Sequence, residues 1–293
     1  MGLATVCRGI QARTDGQWLA ALADLDFGVQ YLREHCPGSA WECSLGQGST
    51  MAALEALGEL RTMNDRSEQM LRRAQETGDM HTSLLAAMYS ALTLLASGAP
   101  AAARARVRSA LAHWPRDGFH VQHLHALKIE VYCDLYERRP ADAWQRIVTA
   151  WTPLEDSSFL RLSTRRAEAL ILRARASIAA LRAAPTEHEH LATIAAGDIT
   201  RLEQEGHLHL RAEAALLRAG LARCRGDDAE QRRQLDTAIS GLESTGMQLS
   251  ALTARRLRGR NRDDEHRAEA LMRMQNITDP AAWSRVVAPG LAT

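Results

Sequence analysis

The sequence predicts an all-α protein: an α-solenoid of antiparallel helical hairpins. Three observations lead there. Ala and Leu dominate and every basic residue except Lys128 is Arg, all strong helix formers, while aromatics make up only 4% and no β-branched run suggests a sheet. Apolar residues recur at helical spacing over most of the chain, and the Gly, Pro or Asp breaks between them are short. Residues 84–114 show both features at once. An apolar helix reaches Ser97-Gly98-Ala99-Pro100, where glycine and the fixed proline φ end it. A second helix follows with Ala103, Val107, Ala110, Leu111 and Trp114 on one face and Arg104, Arg106 and Arg108 on the other. Such a hairpin cannot bury its faces alone and needs neighbours of its own kind.

In order, the first helix runs from about Leu3 to Thr14, begins without a cap signal, which reads as a start inside a longer parent, and stops at Asp15-Gly16. From Gln17 to His35, Trp18, Leu22, Leu25, Val29 and Leu32 alternate steps of four and three, and Cys36-Pro37-Gly38 closes the helix. Helices are then expected over 40–60, 67–77, the hairpin just described, 119–137, 140–151, 159–183, 187–205, 208–225 and 228–244.

Aligning the turns exposes a repeat. Nine residues after Gly16, Thr62, Gly98, Arg138 and Gly226 stand Leu25, Leu71, Val107, Ile147 and Leu235, and twelve after stand Gly28, Ala74, Ala110, Ala150 and Ala238. A further anchor at Arg182 gives Leu191 and then Ile194. A large residue followed by a small one three positions on suits a second helix that packs against both its partner and the next hairpin. Over residues 2–246, the glycine turn and this pattern resemble the tetratricopeptide-like family in its long, degenerate bacterial form, although its Trp-Leu-Gly-Tyr signature is largely missing. The resemblance implies a right-handed solenoid whose first helices line a concave groove.

The array is expected to occupy residues 1–260, with capping helices and a tail over 261–293. Residues 255–262 carry five arginines and precede a helix at 266–275. A last short helix, 281–287, has Trp283, Val286 and Val287 on its apolar side, stops at Pro289-Gly290, and is expected to shield the open end of the array. Met272, Gln275, Ile277, Asp279-Pro280 and Ala288-Pro289-Gly290 resemble the closing segment of large bacterial serine/threonine kinases and ATP-binding regulators. That resemblance implies a kinase or ATPase module ahead of these repeats in a longer parent.

Several function classes are read as excluded or, for nucleic acid, as a minor hypothesis. Thirty-six basic against 35 acidic residues leave a net charge of +1, which gives no field for nucleic acid or an anionic membrane. Five scattered cysteines without a CxxC pair suit a reducing compartment, and the chain is read as cytoplasmic, with no signal peptide. The apolar run 84–96 is too short to span a bilayer. Asp26-Phe27-Gly28 spells a kinase triplet but lacks the upstream catalytic and glycine-rich loops, so Gly28 is read as a packing position. Gly46-Gln47-Gly48-Ser49-Thr50 lacks the lysine of a phosphate loop. His120, His123 and His125 beside Asp117 do not complete a four-ligand zinc pattern. The arginine run reads as a solvated helix end or a contact for an acidic partner.

No glutamate pair, Ser-His-Asp order or HExxH string is found, so no catalytic residue, metal or cofactor is expected. A buried titratable cluster in one deep pocket would speak for an enzyme instead. The expected function is a non-enzymatic protein-interaction and signal-sensing scaffold, the C-terminal regulatory region of a bacterial signalling kinase or ATPase regulator, which holds a protein or peptide in its groove. Tyr89, Lys128, Tyr132, Arg165 and Arg173, polar residues on first helices, are the candidate partner-binding residues. Charge reversal at Lys128 and Arg165 is expected to weaken partner binding without unfolding the protein. The alternative is the effector-sensing repeat region of a bacterial transcriptional activator, with a DNA-binding module elsewhere in a longer parent or a small molecule in the groove.

Overall fold

A computed structural model describes residues 1–112, 114, 115, 117–181, 183, 188–259 and 262–292. Among these the regular structure is helical, and the helices pair in sequence order. α1 (Gly2–Thr14) packs on α2 (Trp18–His35), α3 (Ala40–Leu57) precedes α4 (Leu60–Thr77), and α5 (Met80–Ala96) pairs with α6 (Pro100–Leu111). α7 (Val121–Tyr136) pairs with α8 (Pro140–Asp156), and α9 (Ser163–Ala180) with α10 (His188–Gln204). α11 (Leu208–Cys224) pairs with α12 (Asp228–Ser244), α13 (Gln248–Arg258) with α14 (Arg262–Met274), and α15 (Pro280–Val287) follows. Among the described residues no helix is long and apolar enough to cross a membrane.

Hydropathy sorts the pairs into two layers. α5 and α11, apolar on most sides, each bury twelve of 17 residues, whereas α12 buries only Leu235, Ala238, Ile239 and Leu242 along one stripe. The odd-numbered helices form the inner layer and the even-numbered ones the outer. Of the large positions of the repeat Leu25, Val107, Ile147, Leu191 and Leu235 are buried and Leu71 is half-buried, as are the small positions Ala110 and Ala150. Among the described residues three helices start on an aspartate cap, with the Asp79, Asp227 and Asp279 carboxylates accepting from Thr82, Glu230 and Ala282 backbone N–H groups at 2.9–3.0 Å.

Several boundaries differ from expectation. Thr62 is not a turn: the chain reverses at Gly58, in the left-handed region, and α4 already begins at Leu60. Its first turns are mostly polar, and only Leu60, Met63 and Ser67 face inward there, which hides the period. α8 continues through Pro153 to Asp156; Pro153 and Thr149 both lie on the exposed side, where water can serve the carbonyl that the proline leaves free. Residues 158–161 form a separate 3-10 turn before α9. α13 was not expected at all, and α14 packs on it across the 260/261 division, with Arg256 donating to Glu269 at 2.9 Å. The Arg182 anchor, and Arg260 and Asn261 of the arginine run, lie outside the described residues.

The array closes on itself. Leu249 of α13 sits against the turn at Gly58, the Arg61 backbone N–H donates to the Gln275 side chain at 3.3 Å, and Thr278 N–H donates to the Ala96 carbonyl at 3.1 Å. α15 therefore does not cap an open end. It lies across the inner layer against α7, α9 and α13, and Arg285 donates to the Tyr136 carbonyl at 2.8 Å. The segment after it crosses α11 where Gly220 leaves room: a Cβ there would stand 2.3 Å from the Pro289 carbonyl oxygen. Gly220→Val is expected to unseat this segment and to destabilise the protein by about 1–3 kcal/mol, read as a lowered urea midpoint together with faster amide exchange over residues 280–288.

Candidate functional site

Closure leaves a cavity of about 240 Å³ at the centre of the inner layer, to which every odd-numbered helix from α1 to α15 contributes. Helical spacing brings the polar residues into it. On α7, His125, Lys128 and Tyr132 stand at i, i+3 and i+7; on α9, Arg165, Glu168 and Arg175 share a face; on α11, His209 and Glu213 are one turn apart. Glu55 arrives from α3, Tyr89 from α5, Arg13 from α1, Trp18 from α2 and Trp283 from α15. Leu60, Leu92, Leu210, Met247 and Leu249 complete an apolar wall.

The charged groups form a linked chain. The sole lysine, Lys128, donates to both Glu55 oxygens at 3.0 and 2.9 Å and lies 3.5 Å from Glu168. Arg165 donates to Glu168 at 2.9 Å and to His125 Nε2 at 2.9 Å. Because guanidinium has no acceptor, that His125 nitrogen carries no proton. Arg175 donates to Tyr132 Oη at 2.6 Å and to Glu213 at 3.1 Å, while Tyr89 Oη donates to the Gly48 carbonyl at 3.3 Å.

Electrostatics fix the protonation states. Burial opposes the Lys128 charge, but Glu55 and Glu168 outweigh it and hold the ammonium well above its usual range. Burial likewise resists ionisation of Glu168, yet Lys128, His125 and Arg165 keep its carboxyl well below the carboxylate range. Burial pushes Tyr89 up to about 12 and lowers His125 to about 3, with Arg165 and Lys128 assisting at the histidine. Burial, then His207 and Arg13, lowers His209 to about 4.

Histidines 125 and 209 therefore fold neutral but are protonated in the unfolded chain below its ordinary pKa of 6.5. The unfolded state binds more protons in that range, so stability is full above about pH 6.5 and falls as the pH drops toward each folded value. His209, shifted to about 4, is expected to account for roughly 3 kcal/mol of that loss. Urea midpoints measured between pH 7 and pH 4 should fall steadily, and the slope should flatten in His209→Phe.

Four of the five expected partner-binding residues, Tyr89, Lys128, Tyr132 and Arg165, meet in this cavity. They do not form an open surface: Tyr89 and Tyr132 are each only 7% exposed. Charge reversal at Lys128 or Arg165 would place carboxylates against Glu55 or Glu168, so it is expected to unfold the protein, contrary to the expectation from sequence. Arg173 lies elsewhere. Two residues from Arg175, it turns away from the cavity, donates to both Asp198 oxygens at 2.7 and 2.5 Å, and stacks over Trp151 at 3.4 Å from the ring centroid.

The other sequence features find local roles. His123 Nδ1 accepts from the His120 backbone at the start of α7, and Trp114 donates to His120 Nδ1 at 3.0 Å. Gly46 and Gly48 lie inside α3, where a Cβ at Gly46 would stand 2.4 Å from Val29. Of the arginine run, Arg255, Arg256 and Arg258 pair with Glu243, Glu269 and Asp236 of the same chain. Sequence reasoning missed Glu55, Glu168, Arg13, Arg175 and Trp283 of the cavity. The available signal was charge interleaved with apolar residues on α7 and α9. No family model and no curated protein matches the chain.

Proposed function

We propose that this chain is a sensory helical-repeat module that holds a small effector inside its closed array. The observation that carries the reading is the cavity, walled by every inner helix, so that occupancy acts on all the hairpins at once. At about 240 Å³ it has room for about eight waters, or an organic molecule of that bulk, and none for a helix. A peptide laid along the inner helices would first have to displace α15, which argues against the expected peptide groove.

A buried titratable cluster, which by itself would speak for an enzyme, is present. Its members favour binding over catalysis: Lys128 is held protonated, Glu168 ionised and His125 neutral, so none of these is poised to exchange a proton near neutral pH. In this reading the hairpins are of the right-handed tetratricopeptide-like type. The module serves as the sensory part of a regulator of the kinase, ATPase or transcriptional-activator kind that the sequence resembles.

The test is a thermal-shift screen with small acidic, neutral and basic metabolites on the protein and on Ala52→Phe, which fills part of the cavity. A ligand at a hundredfold excess over its Kd should add about 2.7 kcal/mol, or about 5 °C in Tm. The expected result is at least one compound that shifts the unmodified protein but not Ala52→Phe. A screen in which no compound of any charge shifts the protein, or in which both proteins respond alike, overturns the reading.

A further inference from the structure

We infer that the ligand of this cavity is a small organic monoanion: one carboxylate on an apolar or aromatic body. The inference rests on the binding reading above and names its chemical class. Two independent counts lead to it.

The first is charge. Four cations line the cavity, Arg13, Lys128, Arg165 and Arg175, against three carboxylates, Glu55, Glu168 and Glu213. Lys128, Arg165 and Arg175 each bond one of those carboxylates directly. Arg13 makes no ion pair among the described residues, and the largest effect of any charge on it is the repulsion of Arg165. One positive charge is left over on the partly buried Arg13, where burial disfavours a charge without a partner. The neutral histidines, His125 and His209, add nothing to that excess. A single negative charge balances it.

The second count is hydrogen bonds. Among the described residues six buried side-chain nitrogens find no partner, and five of them belong to residues of this cavity: Arg13 Nε, Trp18 Nε1, Arg175 Nε, His209 Nδ1 and Trp283 Nε1. The arginine and tryptophan nitrogens only donate. Trp18, Arg175 and Trp283 are all more than nine-tenths buried. The residues around the cavity thus carry a surplus of donors, none of them exposed to its open space, and an acceptor-only group such as a carboxylate suits them where an amine or guanidine would worsen the surplus. Guanidinium also accepts carboxylate in a planar, two-point geometry. The leucine, methionine and tryptophan wall takes the remaining, apolar part of the ligand.

The experiment titrates the full chain with benzoate, phenylacetate and 3-methylbutyrate, and with the corresponding amides, by calorimetry and tryptophan fluorescence. Each acid should bind at least tenfold more tightly than its amide. Arg13→Gln should weaken the acids at least tenfold and leave the amides unchanged, while Arg13→Lys keeps part of the preference. If Arg13→Gln does not fold, Trp18→Phe and Trp283→Phe, which keep the ring and lose the N–H, should reduce the acid preference instead. Amides that bind as tightly as acids, or acid binding untouched by all of these variants, overturn the inference. Should the broader screen yield only neutral or cationic ligands, the monoanion is refuted and the binding reading stands; should it yield none, both fall.

Discussion

Asp134→Ala is expected to destabilise the protein by about 3–5 kcal/mol. Asp134 is fully buried where α6, α7 and α8 meet, and three guanidinium groups converge on it: Arg104 at 2.5 Å, Arg146 at 2.5 Å and Arg139 at 2.8 Å. Arg104 is itself buried and directs its remaining donors to Glu130 and Glu137. Removing the carboxylate leaves the buried Arg104 short of its central acceptor and takes a shared acceptor from Arg146 and Arg139, and Glu130 and Glu137 compensate only part of the charge. Asparagine should recover little, because its amide nitrogen presents donors to donors. Arg104→Leu combined with Asp134→Leu should be close to neutral, since both desolvation penalties vanish together. Urea midpoints for the two singles and the double form a cycle that checks this, and a double as unstable as the Asp134 single would refute it. The cluster lies outside the cavity, so ligand-induced shifts in Tm should survive in every variant that folds.

The helical layers were legible because burial is periodic. Trp18, Leu25, Val29 and Leu32 announce α2 in its sequence, and all four are buried. A stronger signal lies in the glycines. Gly38, Gly58, Gly78, Gly98 and Gly118 stand 20 residues apart, as do Gly206, Gly226 and Gly246, and each has φ between 70° and 86°. Most of them end helices in the left-handed conformation that glycine adopts without strain, and Gly38 and Gly118 make the same turn in the loops between helices. Aligning every glycine, rather than one turn per hairpin, rejects Thr62 as an anchor. The cavity was legible only in part. Lys128 and Tyr132 share a face with His125, but α9 carries arginines at 165, 166, 173 and 175, and local pattern cannot say which pair turns inward. That is decided by partners distant in sequence: Glu213 for Arg175, Asp198 for Arg173. Closure was illegible for the same reason. The bond from Thr278 to Ala96 joins residues that no local period relates.

Lys128→Met should cost about 3–5 kcal/mol at pH 7, with a pH dependence opposite to that of the unmodified protein. Methionine has nearly the bulk of lysine, so the packing survives and the loss is electrostatic. Glu55 loses the cation that it bonds at 2.9 Å, and Glu168 keeps Arg165 alone. In the unmodified protein Glu168 is held ionised, a folded pKa depressed below 4.5, so its contribution is present at neutral pH and is lost on acidification. In the variant, protonation relieves the stranded carboxylates, which raises their folded pKa values above the unfolded ones. Their penalty is then full at high pH and shrinks as the pH falls toward 5. The difference in stability between the two proteins should therefore narrow from pH 7 to pH 5, while the unmodified protein itself weakens through His125 and His209. Glu55→Gln in the same chain should restore most of the loss at pH 7, because one carboxylate then remains and Arg165 still bonds it. A difference that stays constant with pH would mean that Lys128 acts through packing, and the charge balance assigned to the cavity would have to be redrawn.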